Sequence, residues 1–293
     1  MQPHIPEMVD VLKRHNELRV SDEVKGYLCQ MSRSTIDRLL AEKRRRPRRR
    51  GLSTTKPGTL LKRSIPVRVG TEWEEDVPGF IEIDLVAHGG DSTEGEFIYT
   101  LNAVDICTSW TGCKAVPNKG QKAVFDALVD LRCRFPFALR GIDSDNGSEF
   151  INQHLYRYCQ KEEILFTRSR PYRKNDQAYI EQKNWTVVRR QIGYDRYESA
   201  AALEAFNELY DLLYDYVNFF LPVLHLTSKT RVDGKVKKKY DQARTPYQRV
   251  IDAPGISDDV KAQLRETYLS LNPVALRKQI DKQLDKLWRL AVQ

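Results

Sequence analysis

Gly141-Ile142-Asp143-Ser144-Asp145-Asn146-Gly147-Ser148-Glu149-Phe150 decides how this chain folds. Ala138, Leu139 and Ile142 are apolar and lead into Asn146-Gly147, a strong turn signal, so 138–144 reads as a buried strand ending in a turn. A carboxylate at that strand end points into a crevice, not into the core. Downstream, Tyr179-Ile180-Glu181-Gln182-Lys183-Asn184-Trp185 reads as a helix with Ile180, Trp185 and Val188 on its apolar face. Thirty-five residues separate Asp145 from Glu181, room for one helix, one short strand and a loop before the chain returns to the same edge.

A third carboxylate lies upstream. Phe80-Ile81-Glu82-Ile83-Asp84-Leu85-Val86 reads as a strand with Asp84 inside an apolar run, where a charge is costly unless it is paired or bound to a metal. Any one of these acids alone is an ordinary surface carboxylate. The three in these local contexts are a stronger signal.

The pattern resembles the catalytic core of DDE recombinases, the bacterial insertion-sequence transposases and retroviral-type integrases. Asp84, Ser144-Asp145-Asn146-Gly147 and Asp176-Gln177-Ala178 ahead of Glu181 carry the resemblance, with Asn102-Ala103-Val104-Asp105-Ile106-Cys107-Thr108-Ser109-Trp110 similar to the family's second strand. It covers roughly residues 78–220. Gln177 stands where many relatives carry Asn. The resemblance implies an RNase H-like α/β fold with Asp84, Asp145 and Glu181 as catalytic metal ligands. It implies two Mg²⁺ or Mn²⁺ ions, no small-molecule cofactor, and DNA at element ends and target as substrates. A homo-oligomer on DNA and a cytoplasmic, nucleoid-associated bacterial protein follow from the same likeness. Phosphodiester cleavage needs charge stabilised on two oxygens at once, and two cations about 3.5–4 Å apart provide that. Hard cations want oxygen ligands, which three carboxylates supply.

The rest of the chain gives a frame for that core. A length of 293 residues suggests one large or two modest domains. Residues 1–70 carry 17 Lys and Arg against 7 Asp and Glu, while the whole chain is only +8, so the basic charge sits at one end. That reads as a nucleic-acid-binding arm on a near-neutral body. Five scattered cysteines with no CxxC argue against a disulfide scaffold and structural zinc. No apolar run is long enough for a membrane span, and the start shows no signal peptide. Relatives of this type carry more DNA-binding sequence ahead of the region matching 5–43, which leaves room for a truncation before Met1.

Four regions follow. Residues 1–50 read as a helix-turn-helix-like module with a basic arm: helices over 5–19, 22–30 and 34–43, capped at the third by Ser32 or Ser34. Val24, Tyr27, Leu28, Ile36, Leu39 and Leu40 are its inward residues; a plain small helical bundle reads the same way. Arg33 and Arg38 would face a DNA groove. Arg44, Arg45, Arg46, Arg48, Arg49 and Arg50 would track phosphates or serve as a flexible linker. Residues 51–77 read as a linker.

Residues 78–222 form the core, with strands near 80–86, 96–105, 110–116, 138–144 and 164–168. Helices fall at 120–133, 149–161, around Glu181 and at 199–220. Arg170, Arg173 and Lys174 precede the Glu181 helix, and Lys183, Asn184 and Arg190 lie on it; all are candidate DNA contacts. Trp185 there reads as core packing ahead of base stacking. Residues 223–293 hold a basic hairpin turning at Asp233-Gly234 and two closing helices, with Leu276, Ile280, Leu284 and Leu287 at helical spacing.

The leading reading is a DNA transposase. Alternatives are a retroelement or phage integrase, an inactive or regulatory DNA-binding derivative, and a metal-dependent nuclease.

Overall fold

A computed structural model describes residues 4–40, 65–66, 76–169, 177–232 and 235–292. At its centre lies an apolar strand, β1 (Phe80–Ala87), flanked by β2 (Tyr99–Asp105) and, beyond that, β3 (Thr111–Val116). β4 (Gly141–Ser144) and β5 (Leu165–Arg168) complete a five-stranded sheet of order β3-β2-β1-β4-β5. β1, β2 and β3 are antiparallel neighbours, whereas β4 runs parallel to β1 and β5 parallel to β4. Parallel neighbours need crossovers. Here these are α4 (Gln121–Arg134) and α5 (Gln153–Lys161). This is the RNase H-like order.

Side-chain alternation divides the sheet into two faces. Ile81, Ile83 and Ile142 pack with Val124, Leu128 and Leu155 of the crossover helices. Glu82, Asp84, Asp143 and Val86 point to the opposite face. That face is covered by a segment starting with α6 (Ala178–Lys183) and continuing through a π-helical stretch, Asn184–Arg189, into α7 (Arg190–Ile192). The long α8 (Ala200–Phe220) seals it, capped by the Ser199 hydroxyl, with Phe206, Leu209, Tyr210 and Leu213 inward.

The N-terminal helices are α1 (Ile5–Arg14), α2 (Asp22–Gln30) and α3 (Arg33–Leu40). α1 stops five residues short of the expected 5–19, because Asn16 takes a positive φ of 57° and closes the turn. Ser32 is the α3 cap, its hydroxyl accepting from the Thr35 amide at 3.1 Å. Val24, Tyr27 and Leu39 are exposed, not inward, since α2 and α3 have no third layer against those positions.

α1 is also not a free-standing module. Its Glu7 accepts from Gln248 at 2.6 Å and from Tyr268 at 2.8 Å, and Arg14 donates to the Tyr268 carbonyl at 3.1 Å. These partners belong to α9 (Pro246–Asp252) and α10 (Asp258–Ser270). Within the expected linker, Ile65 is buried in the core, and Arg168 donates to the Ile65 and Pro66 carbonyls at 3.1 and 3.0 Å.

Elsewhere the expected elements shorten at their starts. β2 begins at Tyr99 after a loop in which Gly95 takes φ 72°. β4 begins at Gly141 and α5 at Gln153, where the Asn152 side chain accepts from the Leu155 amide at 3.0 Å. The basic hairpin is β6 (Leu226–Val232) and β7 (Lys235–Tyr240); its two turn residues lie outside the described ones. The final helix, α11 (Pro273–Trp288), buries Leu276, Ile280, Leu284 and Leu287 as its spacing requires, the last three against α8.

Candidate active site

Strand register places the first two carboxylates. The β1–β4 ladder ends with Ile83 beside Ser144. Asp84, midway along β1, and Asp145, the first residue past β4, come next, so the two acids lie side by side where β4 stops beside β1. This is where open α/β sheets present a crevice.

Asp145 is held by a tight turn. Its Oδ1 accepts from the Gly147 amide at 2.8 Å. A Cβ on Gly147 would sit 2.8 Å from that same Oδ1 and 2.7 Å from Glu149 Oε1, so a side chain there would have to displace the two carboxylates. Asn146 ties the turn to the neighbouring strand end, donating to the Ser169 carbonyl at 2.9 Å and accepting from Arg168 at 3.0 Å.

Asp84 is oriented through a polar chain. The Cys113 thiol donates to Asn102 Oδ1 at 3.3 Å, and Asn102 Nδ2 donates to Asn184 Oδ1 at 2.8 Å. Asn184 Nδ2 then donates to Asp84 Oδ2 at 2.6 Å, while Asp84 Oδ1 accepts from the Leu85 amide at 2.8 Å. Every link runs donor to acceptor in one direction and ends on the carboxylate.

The electrostatics of the pair are strained. Asp84 keeps a rim open to solvent, yet desolvation and then repulsion from Asp145 push its pKa up to about 7, against the lowering effect of the Leu85 and Asn184 bonds. Burial likewise raises Asp145, and raises Glu149, which also feels Asp145. A divalent cation at this edge would remove the repulsion, and carboxylate oxygens are the donors a hard cation takes. The residues therefore fit such an ion.

Glu181 behaves differently. It sits exposed on α6. Among the described residues no group of three or more His, Cys, Asp or Glu is arranged to hold a metal ion, so Asp84, Asp145 and Glu181 are not gathered into one ligand cluster. The helix itself is fixed from beneath: the Ile180 amide donates to the buried Glu82 at 2.9 Å, two residues before Asp84 on β1. The acid that does stand beside Asp145 is Glu149. Its signal in the sequence is the Asn146-Gly147 turn, which folds a residue two positions later back over the strand end.

The helix carrying Glu181 runs into the wider turn at Asn184, and its side chains are placed differently from the expectation. Lys183, expected to meet DNA, is buried, and burial lowers its pKa to about 8. Asn184, expected at the same surface, reaches Asp84 instead. Trp185 is exposed, not packed in the core as expected, and lies one turn on from the equally exposed Glu181. Arg33, Arg38 and Arg190 are exposed. Arg44, Arg45, Arg46, Arg48, Arg49, Arg50, Arg170, Arg173 and Lys174 lie outside the described residues.

Replacing Asn184 tests the polar chain. Asn184→Ala leaves the buried Asn102 amide without its acceptor, and a stability loss of about 1–3 kcal/mol is expected. It would be read as a lower urea midpoint at unchanged slope. The Asp84 pKa should rise further, since the lost bond favoured its charged form.

A sheet of this order, with two carboxylates brought together where β4 stops beside β1, is an RNase H-like core. The integrase core domain family matches residues 74–174. The uncharacterized protein y4rM of Sinorhizobium fredii (strain NBRC 101917 / NGR234) is 41% identical over 254 residues, covering 85% of this chain and 71% of that protein. Among solved structures, the catalytic core domain of BIV integrase aligns at 14% identity and TM-score 0.37, over 58% of this chain and 91% of that one. The HTLV-2 integrase catalytic core domain in complex with magnesium, in its dimeric form, aligns at 12% identity and TM-score 0.38, over 50% and 91%. The chain belongs to the integrase core domain family.

Proposed function

We propose that this protein is a transposase of a bacterial insertion sequence, cleaving DNA at the element's ends and joining the freed 3′ ends to target DNA. The observation that carries the reading is the Asp84–Asp145 pair, set side by side by strand register with Asp84 aimed by Asn184. The bacterial source of the 41% identical relative supports the bacterial part of that reading.

Asp84 and Asp145 would hold Mg²⁺ or Mn²⁺, with Glu181 on α6 as the third carboxylate. Divalent cations held there would supply charge stabilisation for an in-line phosphoryl displacement. The protein's own part is positional. Gly147 lets the Asp145 turn close, the Asn184 chain fixes one Asp84 oxygen, and Glu82 anchors the helix that carries Glu181. Arg33, Arg38, the arginines of 44–50, Arg170, Arg173, Lys174 and Arg190 are the proposed phosphate contacts. The protein works on DNA as a homo-oligomer in the cytoplasm, at the nucleoid. Among the described residues no helix is long and apolar enough to cross a membrane.

A second reading gives the third ligand position to Glu149, because it is the acid that stands against Asp145. Labelled DNA carrying the element's ends, incubated with Mg²⁺ or Mn²⁺, separates the cases. Joined products support the transposase, cleavage alone a nuclease, and a mobility shift without cleavage a regulatory protein. Glu181→Gln is expected to lose cleavage by about a hundredfold or more, as a ligand would, and Glu149→Gln by about tenfold, as a supporting neighbour would. The reverse order would assign the site to Glu149.

A further inference from the structure

β6 and β7 pair only with each other, in a two-stranded sheet separate from the central one. Such a ribbon is marginal in water without something to hold it. By register, Ser228, Thr230, Lys237 and Lys239 share one face while Arg231 and Lys238 lie on the other, and all six are exposed. Residues 226–240 carry six Lys and Arg against Asp233 alone. None of the ion pairs among the described residues involves Arg231, Lys237, Lys238 or Lys239. Lysine on edge strands also discourages aggregation, but that use does not call for cations on both faces with hydroxyls among them on one.

The base of the ribbon is fastened. The His225 amide donates to Asp241 Oδ1 at 2.7 Å, and Arg249 holds the other Asp241 oxygen at 2.7 Å. The His225 ring lies 2.7 Å from the hydroxyl of Ser109, a residue in the left-handed region at φ 60° in the β2–β3 turn. Its other neighbour is Tyr179, edge-on with ring centres 5.8 Å apart and two residues before Glu181 on α6. The base of the ribbon thus touches the start of the helix that carries Glu181.

We propose that this ribbon is a duplex-DNA-binding arm that takes the sugar–phosphate backbone and hands it toward the Asp84–Asp145 edge. The partner follows from charge complementarity: a nearly uncompensated cationic ribbon matches a phosphate backbone, and exposed Ser and Thr hydroxyls donate to phosphate oxygens. A two-stranded ribbon also has the width the major groove admits. The proposal rests on the transposase reading only for the identity of the substrate.

The test is the salt dependence of duplex binding without divalent cation, by fluorescence anisotropy. The variant is Arg231→Gln with Lys237→Gln, Lys238→Gln and Lys239→Gln. A control carries Lys278→Gln and Lys282→Gln, exposed on α11. The slope of log K against log salt is expected to shrink by about 3–4 in the ribbon variant, at about 0.9 per phosphate contact, and to hold in the control. Melting temperatures should match the wild type in both. An unchanged slope, or a drop shared by the control, overturns the proposal. So does capture of the wild type, but not the ribbon variant, by phosphatidylserine vesicles with the DNA slope unchanged. If wild type and ribbon variant cleave and join DNA alike while the slope holds, the ribbon role falls and the transposase stands. Absence of duplex binding by the wild type brings down both.

Discussion

Asp145→Asn is expected to abolish DNA cleavage, by three or more powers of ten, while duplex binding stays within about twofold. A thousandfold loss is about 4 kcal/mol of transition-state stabilisation. Asparagine keeps the oxygen that accepts from the Gly147 amide, so the turn should survive. What disappears is one negative charge at the place where Asp84 and Asp145 meet, and with it a cation ligand. The proposed phosphate contacts are elsewhere on the chain, so affinity for DNA has no reason to fall. Single-turnover cleavage of labelled ends, beside anisotropy on the same duplex, reads both quantities. Cleavage retained within tenfold of wild type would remove Asp145 from the ligand set. Asp143 would not inherit the role easily. It is fully buried and accepts from the Thr167 hydroxyl at 2.7 Å, inside the sheet and not at its edge.

The order of strands and crossover helices was legible in the sequence because each element announces itself locally. Phe80–Val86 is apolar with acids at alternate positions, Asn146-Gly147 stops β4, and Leu155 with Cys159 marks the inner side of α5. Asp84 and Asp145 were legible for the same reason: a charge in or just after an apolar strand needs an explanation. The surroundings of the site were less so. An α-helical wheel puts Asn184 and Trp185 on the Glu181 face, but the turn from Asn184 to Arg189 is wider than α. Nothing in the residue pattern declares a π turn. Asn184, where it begins, reaches across to Asp84 and Asn102, contacts made 100 and 82 residues away in sequence. The docking of α1 on α9 and α10 was hidden for a related reason. It involves polar side chains, Glu7, Arg14, Gln248 and Tyr268, whose pairing no periodicity encodes.

Asp84→Asn is expected to raise the melting temperature of the cation-free protein at pH 8 by several degrees, and to erase the further rise that Mn²⁺ gives the wild type. In the folded protein the Asp84 pKa is raised to about 7, far above that of an unfolded chain. Between those values the folded state binds the proton that the unfolded state has released, so stability falls as pH increases through this window. At pH 8 the wild type carries the full cost of a desolvated charge beside Asp145; at pH 4 that cost is nearly gone. The gap between Asp84→Asn and wild type should therefore close as pH is lowered from 8 to 4.

A cation that binds only the folded site should lift the wild-type melting temperature with the logarithm of its concentration above Kd. That lift should weaken below pH 7, where the proton competes for the same oxygens. Asparagine supplies a neutral oxygen in place of a charged one, so the Mn²⁺ response should vanish with the repulsion. The substitution also asks the Asn184 and Asn102 amides to turn over, since Nδ2 cannot accept where Asp84 Oδ2 did. That reversal is available because the chain ends on the Cys113 sulfur, a weak donor and a weak acceptor alike. Melts of wild type, Asp84→Asn and Glu181→Gln at pH 5 and 8, with and without Mn²⁺, measure all of this. An Asp84→Asn protein that gains nothing at pH 8 and still responds to Mn²⁺ like the wild type would mean that Asp84 carries neither the strain nor the ion.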